Sequence, residues 1–187
     1  VYPLARGTAP LLAVLAGIIL LGERLSPIAL GGVVLLLAGI WAVRRPAPAG
    51  AGTIPALLTG VCIAAYSTVD AAGVQLTAPW LYGYLESLLT AALLALWVGV
   101  VHGTASDQPP PTWKLSALVG SMMTFAYLLV LFAFRIAPLA VVSPLRESAI
   151  VLVTIWGAWR LRERDGLWLR LAGASIIVLG VGLLATT

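Results

Sequence analysis

Charged residues are so sparse in this chain that they divide it into apolar runs long enough to cross a membrane. Only 10% of its 187 residues are Asp, Glu, Lys or Arg, and 61% are hydrophobic. Soluble domains carry about 25% charged residues, and a helix needs about 20 apolar residues to cross the bilayer core. The sequence therefore predicts an integral membrane protein. It excludes an ordinary soluble enzyme, a disordered chain and a nucleic-acid-binding domain.

The apolar runs predict an all-α protein with seven transmembrane helices. Each run is continuous, whereas a strand of a membrane barrel would alternate polar and apolar residues over about ten positions. The links between the runs are short, and none is long enough to fold as a soluble domain. The predicted spans are residues 3–22, 27–43, 54–74, 80–101, 114–134, 138–160 and 167–185.

Two stretches of the chain are similar enough to indicate an internal repeat. They share a Pro-Leu pair, a nearby arginine, a Glu-Arg pair at the end of a span and spaced glycines, at an offset of 140 to 141 residues. The alternative is that two helices rich in Leu, Ala and Gly agree by chance. Chance does not readily explain a Glu-Arg pair at the same place in both stretches. The matched positions are Val1 and Val142, Pro3 and Pro144, Leu4 and Leu145, Arg6 and Arg146, Gly17 and Gly157, Glu23 and Glu163, Arg24 and Arg164, Leu30 and Leu171, Gly32 and Gly173, and Gly39 and Gly180.

The period of the repeat predicts how the protein is organised. Residues 53–187 form a second copy of five spans, and residues 1–45 hold the last two spans of a first copy. On this interpretation about 90 residues with three spans precede the chain, and the whole protein has about 275 residues and ten helices. Because five spans is an odd number, the two copies insert in opposite orientations. Inverted repeats of this kind are typical of transporters, which bind substrate between the repeats near the middle of the membrane.

The stretches that carry the repeat resemble a known family. ARGTAPLLAVLAGIILLGERLSPIALGGVVLLLAGI and PLRESAIVLVTIWGAWRLRERDGLWLRLAGASIIVLGVGLL are each similar to the end of an EamA domain of the drug/metabolite transporter superfamily. The second copy departs from the pattern at Arg162, where the first copy has Gly22 before its Glu-Arg pair. The resemblance implies a ten-helix transporter of the bacterial inner membrane that exports or imports amino acids, nucleotide metabolites or drugs.

An arginine and a glutamate in the sixth span are the first candidates for a substrate site, because ionisable residues inside a membrane are costly. The uncharged run 148–159 is too short to span the bilayer alone, so the sixth span has to begin near Pro138. This places Arg146 about 12 Å inside the span, with Glu147 beside it. An arginine that reaches the headgroups beside a neutralising glutamate would fit the same pattern.

Four further residues are predicted to bind substrate. Arg6 is the repeat partner of Arg146. Tyr66 and Asp70 lie four residues apart, so they share a helix face, and Glu86 lies about 9 Å inside the fourth span. Simpler roles stay open for three of them. Arg6 would lie at a helix end, Asp70 would be a carboxylate at the membrane interface, and Glu86 would make a polar contact between helices.

The predicted spans bring several of these charges to one face of the membrane. Asp70 and Glu86 lie near the link between the third and fourth spans, and Arg146 and Glu147 near the link between the fifth and sixth, beside Arg135. Both links lie on the same side. The charges therefore predict one wet vestibule that binds both ends of a zwitterion. Glu147 would exchange a proton with the transported solute if burial disfavours its charged form.

Glycine pairs predict close packing between helices. Gly32 and Gly39 lie seven residues apart, as do Gly173 and Gly180. Seven residues bring a helix back to nearly the same face, and small residues let helix backbones approach closely in lipid. The pairs therefore predict a tight contact within the fold or a dimer through the glycine-bearing helices.

No pattern in the sequence indicates catalysis or a bound cofactor. The chain has one histidine and one cysteine, no metal-ligand spacing and no phosphate-binding loop. The sequence thus predicts a non-enzymatic secondary transporter without a metal or cofactor, whose partners are the lipid bilayer and a small-molecule substrate. A non-transporting membrane scaffold or assembly subunit is the alternative. It would explain a short chain, but it would not explain a buried Arg-Glu pair.

The orientation in the membrane stays open. Alternating the seven spans puts eight basic residues on one side and three on the other. The positive-inside rule then places the C-terminus outside, whereas the family resemblance implies that both termini are inside.

Overall fold

All the regular secondary structure in the described part of the chain is helical. The computed structural model describes residues 2–44, 53–101, 112–149, 151–152, 156 and 167–186, and no strand occurs among them. The all-α prediction is confirmed for these residues. Their helices are α1 (Tyr2–Ile19), α2 (Pro27–Arg44), α3 (Thr53–Leu76), α4 (Pro79–Val101), α5 (Trp113–Ile136), α6 (Leu139–Arg146) and α7 (Leu167–Leu184).

Three of the described helices are long and apolar enough to cross a membrane. These are α3, α4 and α5, with 24, 23 and 24 residues. At 1.5 Å per residue such a helix covers about 35 Å, slightly more than the bilayer's hydrocarbon core of about 30 Å. Their bounds lie within two residues of the predicted spans, because prolines and polar links end the apolar runs.

The sixth predicted span, 138–160, is not one continuous helix. α6 ends at Arg146, and a turn at residues 147–148 precedes further helical backbone. The two amides of this turn donate to carbonyls three residues back, at 3.1 and 3.0 Å, which tightens the end of the helix. Pro144 weakens the helix just before the turn, because proline has no N–H to donate. The parts of this span outside the described residues are 150, 153–155 and 157–160.

The structure forms two compact units. The first comprises residues 1–71 and 137–187, and the second comprises residues 72–136. The first unit thus contains α1, α2, α6, α7 and most of α3. The second unit contains the end of α3 together with α4 and α5.

The most extensive helix contact in the first unit joins α2 to α7. Gly32 meets Gly180, and Gly39 meets Gly173. A Cβ atom at any of the four would lie 2.7 to 3.0 Å from the carbonyl oxygen of the facing glycine. These pairings make the two helices antiparallel, and they confirm that the glycines mark close packing within the fold. The fully buried apolar side chains around them are Leu36, Ile40 and Ile177.

The turn between α1 and α2 is closed by local caps. Gly22 follows the end of α1 with φ of 67°, a left-handed conformation that glycine adopts without steric cost. Ser26 precedes α2, and its Oγ accepts a hydrogen bond from the amide of Ala29 at 3.1 Å. Pro27 is the first residue of α2, where its missing N–H costs nothing. The direction in which the chain leaves α1 is therefore well defined.

Candidate functional site

The break after α6 lies among buried polar residues. Ser143 on α6 is 3% exposed, and Glu147, which caps the C-terminus of the helix, is 8% exposed. Arg146, the last residue of α6, is half-buried. The α-helix is interrupted here by a tighter turn whose two amides are satisfied by carbonyls three residues back. Because ionisable residues inside a membrane are costly, the end of α6 is the strongest candidate for a functional site in the described residues.

The beginning of α6 is held by a carboxylate from a distant part of the chain. Oε1 of Glu23 accepts a hydrogen bond from the amide of Leu139 at 2.5 Å, and Oε2 accepts one from the amide of Ala140 at 2.9 Å. The residue at the N-cap position is Pro138, which makes no side-chain cap. The first amides of a helix lack partners within it, and the helix dipole favours a negative charge there. Glu23 thus supplies the cap that α6 lacks locally.

Gly17 helps to position Glu23. The amide of Glu23 donates to the carbonyl of Gly17 at 3.0 Å. A Cβ atom at Gly17 would overlap the carboxylate of Glu23 and would lie 3.2 Å from the amide nitrogen of Ala140. Both the backbone and the side chain of Glu23 therefore depend on a residue without a side chain on α1.

Sequence reasoning did not find this role for Glu23. The repeat singled Glu23 out only as part of the Glu-Arg pair, and the contact to Leu139 spans 116 residues of sequence. Hydropathy carries no information about such a partner. The available local signal is a carboxylate directly after Gly22, the glycine with positive φ in the turn that follows α1.

α3 carries a second buried polar site. Ser67 is fully buried, and Asp70, one turn later, is 3% exposed. The Oγ of Ser67 has no hydrogen-bond partner among the described residues. Tyr66, predicted to share a face with Asp70, is 41% exposed, so Asp70 alone of that pair lies in the interior. The other small residues buried on this face are Ala56, Gly60, Ala64 and Ala71.

The remaining predicted site residues lie elsewhere. Glu86 lies on α4 in the second unit and is partly buried. Arg6 lies on α1, and its side chain is outside the described residues. Arg146, Glu147 and Asp70 belong to the first unit. The single vestibule predicted for these charges stays a prediction.

Arg135 binds backbone carbonyls in the second unit. Its Nη1 donates to the carbonyl of Val74 at 2.5 Å and to that of Gln75 at 2.9 Å. The side-chain amide of Gln75 donates in turn to the carbonyl of Phe134 at 2.9 Å. The last carbonyls of a helix lack partners within it and attract a cation. Arg135, predicted to lie beside the vestibule, therefore links the ends of α3 and α5.

Replacing Arg135 by alanine is expected to lower the free energy of unfolding. Two carbonyls at the end of α3 lose their donor, and because the side chain is exposed the loss is small, about 1 kcal/mol. Chemical unfolding in detergent, followed by circular dichroism, measures it. The free energy of unfolding of Arg135→Lys should lie between those of the wild type and Arg135→Ala, because an ammonium group is less well shaped than a guanidinium to bridge two carbonyls. An unchanged unfolding free energy in Arg135→Ala would contradict the proposed link.

The described residues also contain an open groove in the first unit. Its volume is about 400 Å³. None of the described residues that line it is charged. The part of the chain that the structure describes contains no group of three or more His, Cys, Asp or Glu side chains that could hold a metal ion. The residues that line the groove are Val151, Leu171, Ala174, Ser175, Val178 and Leu179.

One comparison with known proteins gives a match. The model of the EamA-like transporter family matches residues 50–186, a stretch that covers α3 to α7 and most of the chain. No curated protein and no solved structure matches this chain.

Proposed function

The chain belongs to the EamA-like transporter family, and from this premise we propose that it is a secondary transporter that moves small amino-acid-like or drug-like solutes across the bacterial inner membrane. Family membership and the three membrane-length helices make it an integral membrane protein of the transporter type. The end of α6 carries the finer proposal, because it combines a turn that interrupts the α-helix with the buried Glu147 and half-buried Arg146. Spanning helices, rather than a barrel, favour the inner membrane.

The contact between α2 and α7 supports a substrate site between inverted repeats. In the sequence repeat Gly32 corresponds to Gly173, and Gly39 to Gly180. In the structure each glycine meets the one that does not correspond to it. A twofold axis between the repeats produces this pattern. It makes the first glycine of each copy contact the second glycine of the other copy, so the same contact occurs twice. Since α2 and α7 are antiparallel, this axis is perpendicular to them, as it is in inverted-repeat transporters. The proposed repeats are residues 1–45 and 53–187.

The charges of the first unit fit a solute with two opposite ends. The guanidinium of Arg146 would bind a carboxylate with two parallel hydrogen bonds. The carboxylates of Glu147 and Asp70 would bind an ammonium group, and coupling of transport to a proton gradient is part of the proposal. Tyr66 and Arg6 complete the proposed substrate-binding set of the first unit, and Glu86 is proposed separately as a substrate-binding residue of the second unit.

A non-transporting scaffold or assembly subunit is the second candidate. Such a protein needs helix packing and surfaces for its partners, but it has no use for ionisable side chains in its interior. Asp70 and Glu147 are 3% and 8% exposed, and ionisable residues in the interior of a membrane protein often mark substrate and ion pathways. The two buried carboxylates therefore favour transport.

Reconstitution of the purified full-length protein, with the three spans predicted to precede this chain, tests the proposal in liposomes. We expect saturable uptake of a mixture of ¹⁴C-labelled amino acids, or of the cationic dye ethidium, above that of protein-free liposomes. An imposed pH gradient should change the uptake rate if a proton is exchanged. Absence of saturable uptake of both probes by folded protein would favour the scaffold. Uptake that does not respond to the gradient would contradict proton coupling alone.

A further inference from the structure

We infer that Glu23 is a positioning residue for transport, whose carboxylate clamps the beginning of α6 and so orients Arg146 and Glu147 at its other end. The inference rests on the proposed function, because it concerns the same site. The two hydrogen bonds to the amides of Leu139 and Ala140 carry it. Bonds from N–H groups to a carboxylate are short and directional, so they fix the angle at which α6 leaves the turn before it.

α6 transmits the position of its first turn to its last. The helix has eight residues, and its hydrogen-bonded backbone makes it move as one body. About 12 Å of helix separates the clamped amides from Glu147. α6 ends at the turn at residues 147–148, where the regular α-helical backbone is interrupted. A small change of angle at Leu139 therefore displaces the charged pair.

Apolar packing alone would define the position of α6 less well. Ala140 packs with Val14 of α1 and Val33 of α2 in a small buried cluster. Contacts between smooth aliphatic surfaces tolerate sliding and rotation, whereas the paired bonds to Glu23 allow one orientation. Glu23 is itself fixed by Gly17 and Gly22, on the turn that joins α1 to α2.

The clamp can be released without unpacking the core. Glu23 is partly exposed, so water can replace the two backbone amides as partners of its carboxylate. The cluster of Ala140, Val14 and Val33 does not depend on those hydrogen bonds. A transporter needs such an element, because the site must be held firmly in one conformation and still move to another. Glu23 thus acts on the site through α6 rather than by touching the solute.

Variants of Glu23 with graded acceptor capacity test the inference. Glu23→Gln keeps the length of the side chain but turns an NH₂ group toward one backbone amide. Glu23→Asp keeps the charge but is too short to reach both amides, and Glu23→Ala removes the clamp. The matched control is Arg24→Ala, which changes an exposed charge at the next position. All four are made in the full chain.

Two measurements are made on each variant. Hydrogen–deuterium exchange of the peptide that contains Leu139 and Ala140 is expected to quicken roughly ten- to hundredfold in Glu23→Ala, and less in Glu23→Gln and Glu23→Asp. Uptake of the ¹⁴C-labelled amino acid mixture or of ethidium, whichever the wild type transports, should show an increased KM in the same order. Arg24→Ala should behave as wild type in both. Melting temperature in detergent reports whether each variant is folded.

Faster exchange with raised KM in folded Glu23 variants supports the inference. Unchanged exchange, or unchanged KM despite faster exchange, overturns it. If Glu23→Ala does not fold, the same two measurements on the near-isosteric Glu23→Gln distinguish these outcomes. Wild-type uptake by Arg146→Ala and Glu147→Gln would instead overturn the proposed site itself, while the exchange measurement would still show whether Glu23 holds α6.

Discussion

Arg146→Ala and Glu147→Gln are each expected to abolish transport while leaving insertion into the membrane intact. Removal of the guanidinium deprives a bound carboxylate of its partner in a low-dielectric site. Truncation of one member of a buried charge pair costs about 2–5 kcal/mol, which is a thirtyfold or greater fall in rate at low substrate concentration. Glu147→Gln keeps the shape of the side chain but removes its charge and its exchangeable proton. Uptake by reconstituted liposomes measures the effect.

Insertion should survive in both variants, because removing a charge from a spanning segment makes its transfer into lipid easier. Membrane-fraction yield and melting temperature in detergent check this point. Arg24→Ala is the matched control, since it removes a charge from an exposed position outside the helices. Wild-type uptake by both site variants would contradict the proposed site. So would a loss of uptake in Arg24→Ala as large as that in Arg146→Ala.

Most helix bounds were predictable because they follow from local chemistry. Pro27 and Pro79 each begin a helix, where the fixed φ of proline suits the first turn and its missing amide is not needed. Long apolar stretches between polar links mark the helices themselves. The end of α6 at Arg146 was not predictable in this way. Hydropathy does not change there, and the break depends on which backbone hydrogen bonds form around Pro144.

The contents of the site were predictable in type but not in position. Cost of burial singled out Arg146, Glu147 and Asp70, and Asp70 and Glu147 are buried in the structure. Tyr66 shows the limit of the argument, because a spacing of four places two residues near one another on a helix without saying which side faces the protein. Glu23 shows another limit, because its partners lie in a helix that begins 116 residues later.

The largest effect on stability is expected from glycines at the contact between α2 and α7. A Cβ atom at Gly39 would lie 2.7 Å from the carbonyl oxygen of Gly173, and one at Gly180 would lie 2.8 Å from that of Gly32. Backbone atoms cannot move aside as a side-chain end can, so leucine at either position forces the helices apart. Gly39→Leu and Gly180→Leu should each lower the free energy of unfolding by about 3 kcal/mol or more. For a chain of this size, the melting temperature should fall by roughly 6–12 °C.

Gly182 provides a control on the same helix, two residues from Gly180. A Cβ atom there meets no atom of the described residues within 4 Å, so Gly182→Leu should add the same side chain to α7 at a smaller cost and melt near the wild-type temperature. The comparison also separates packing within the fold from a dimer through these glycines. A dimer formed through Gly180 would have to break the contact with Gly32 in the same chain. If the contact within the fold is what matters, dissociating any wild-type dimer into monomers in detergent should not lower the melting temperature as Gly180→Leu does. Wild-type melting temperatures for both Gly39→Leu and Gly180→Leu would contradict the prediction. So would a melting temperature of Gly182→Leu as low as that of Gly180→Leu, because the close approach of the two backbones would then not be what stabilises this fold.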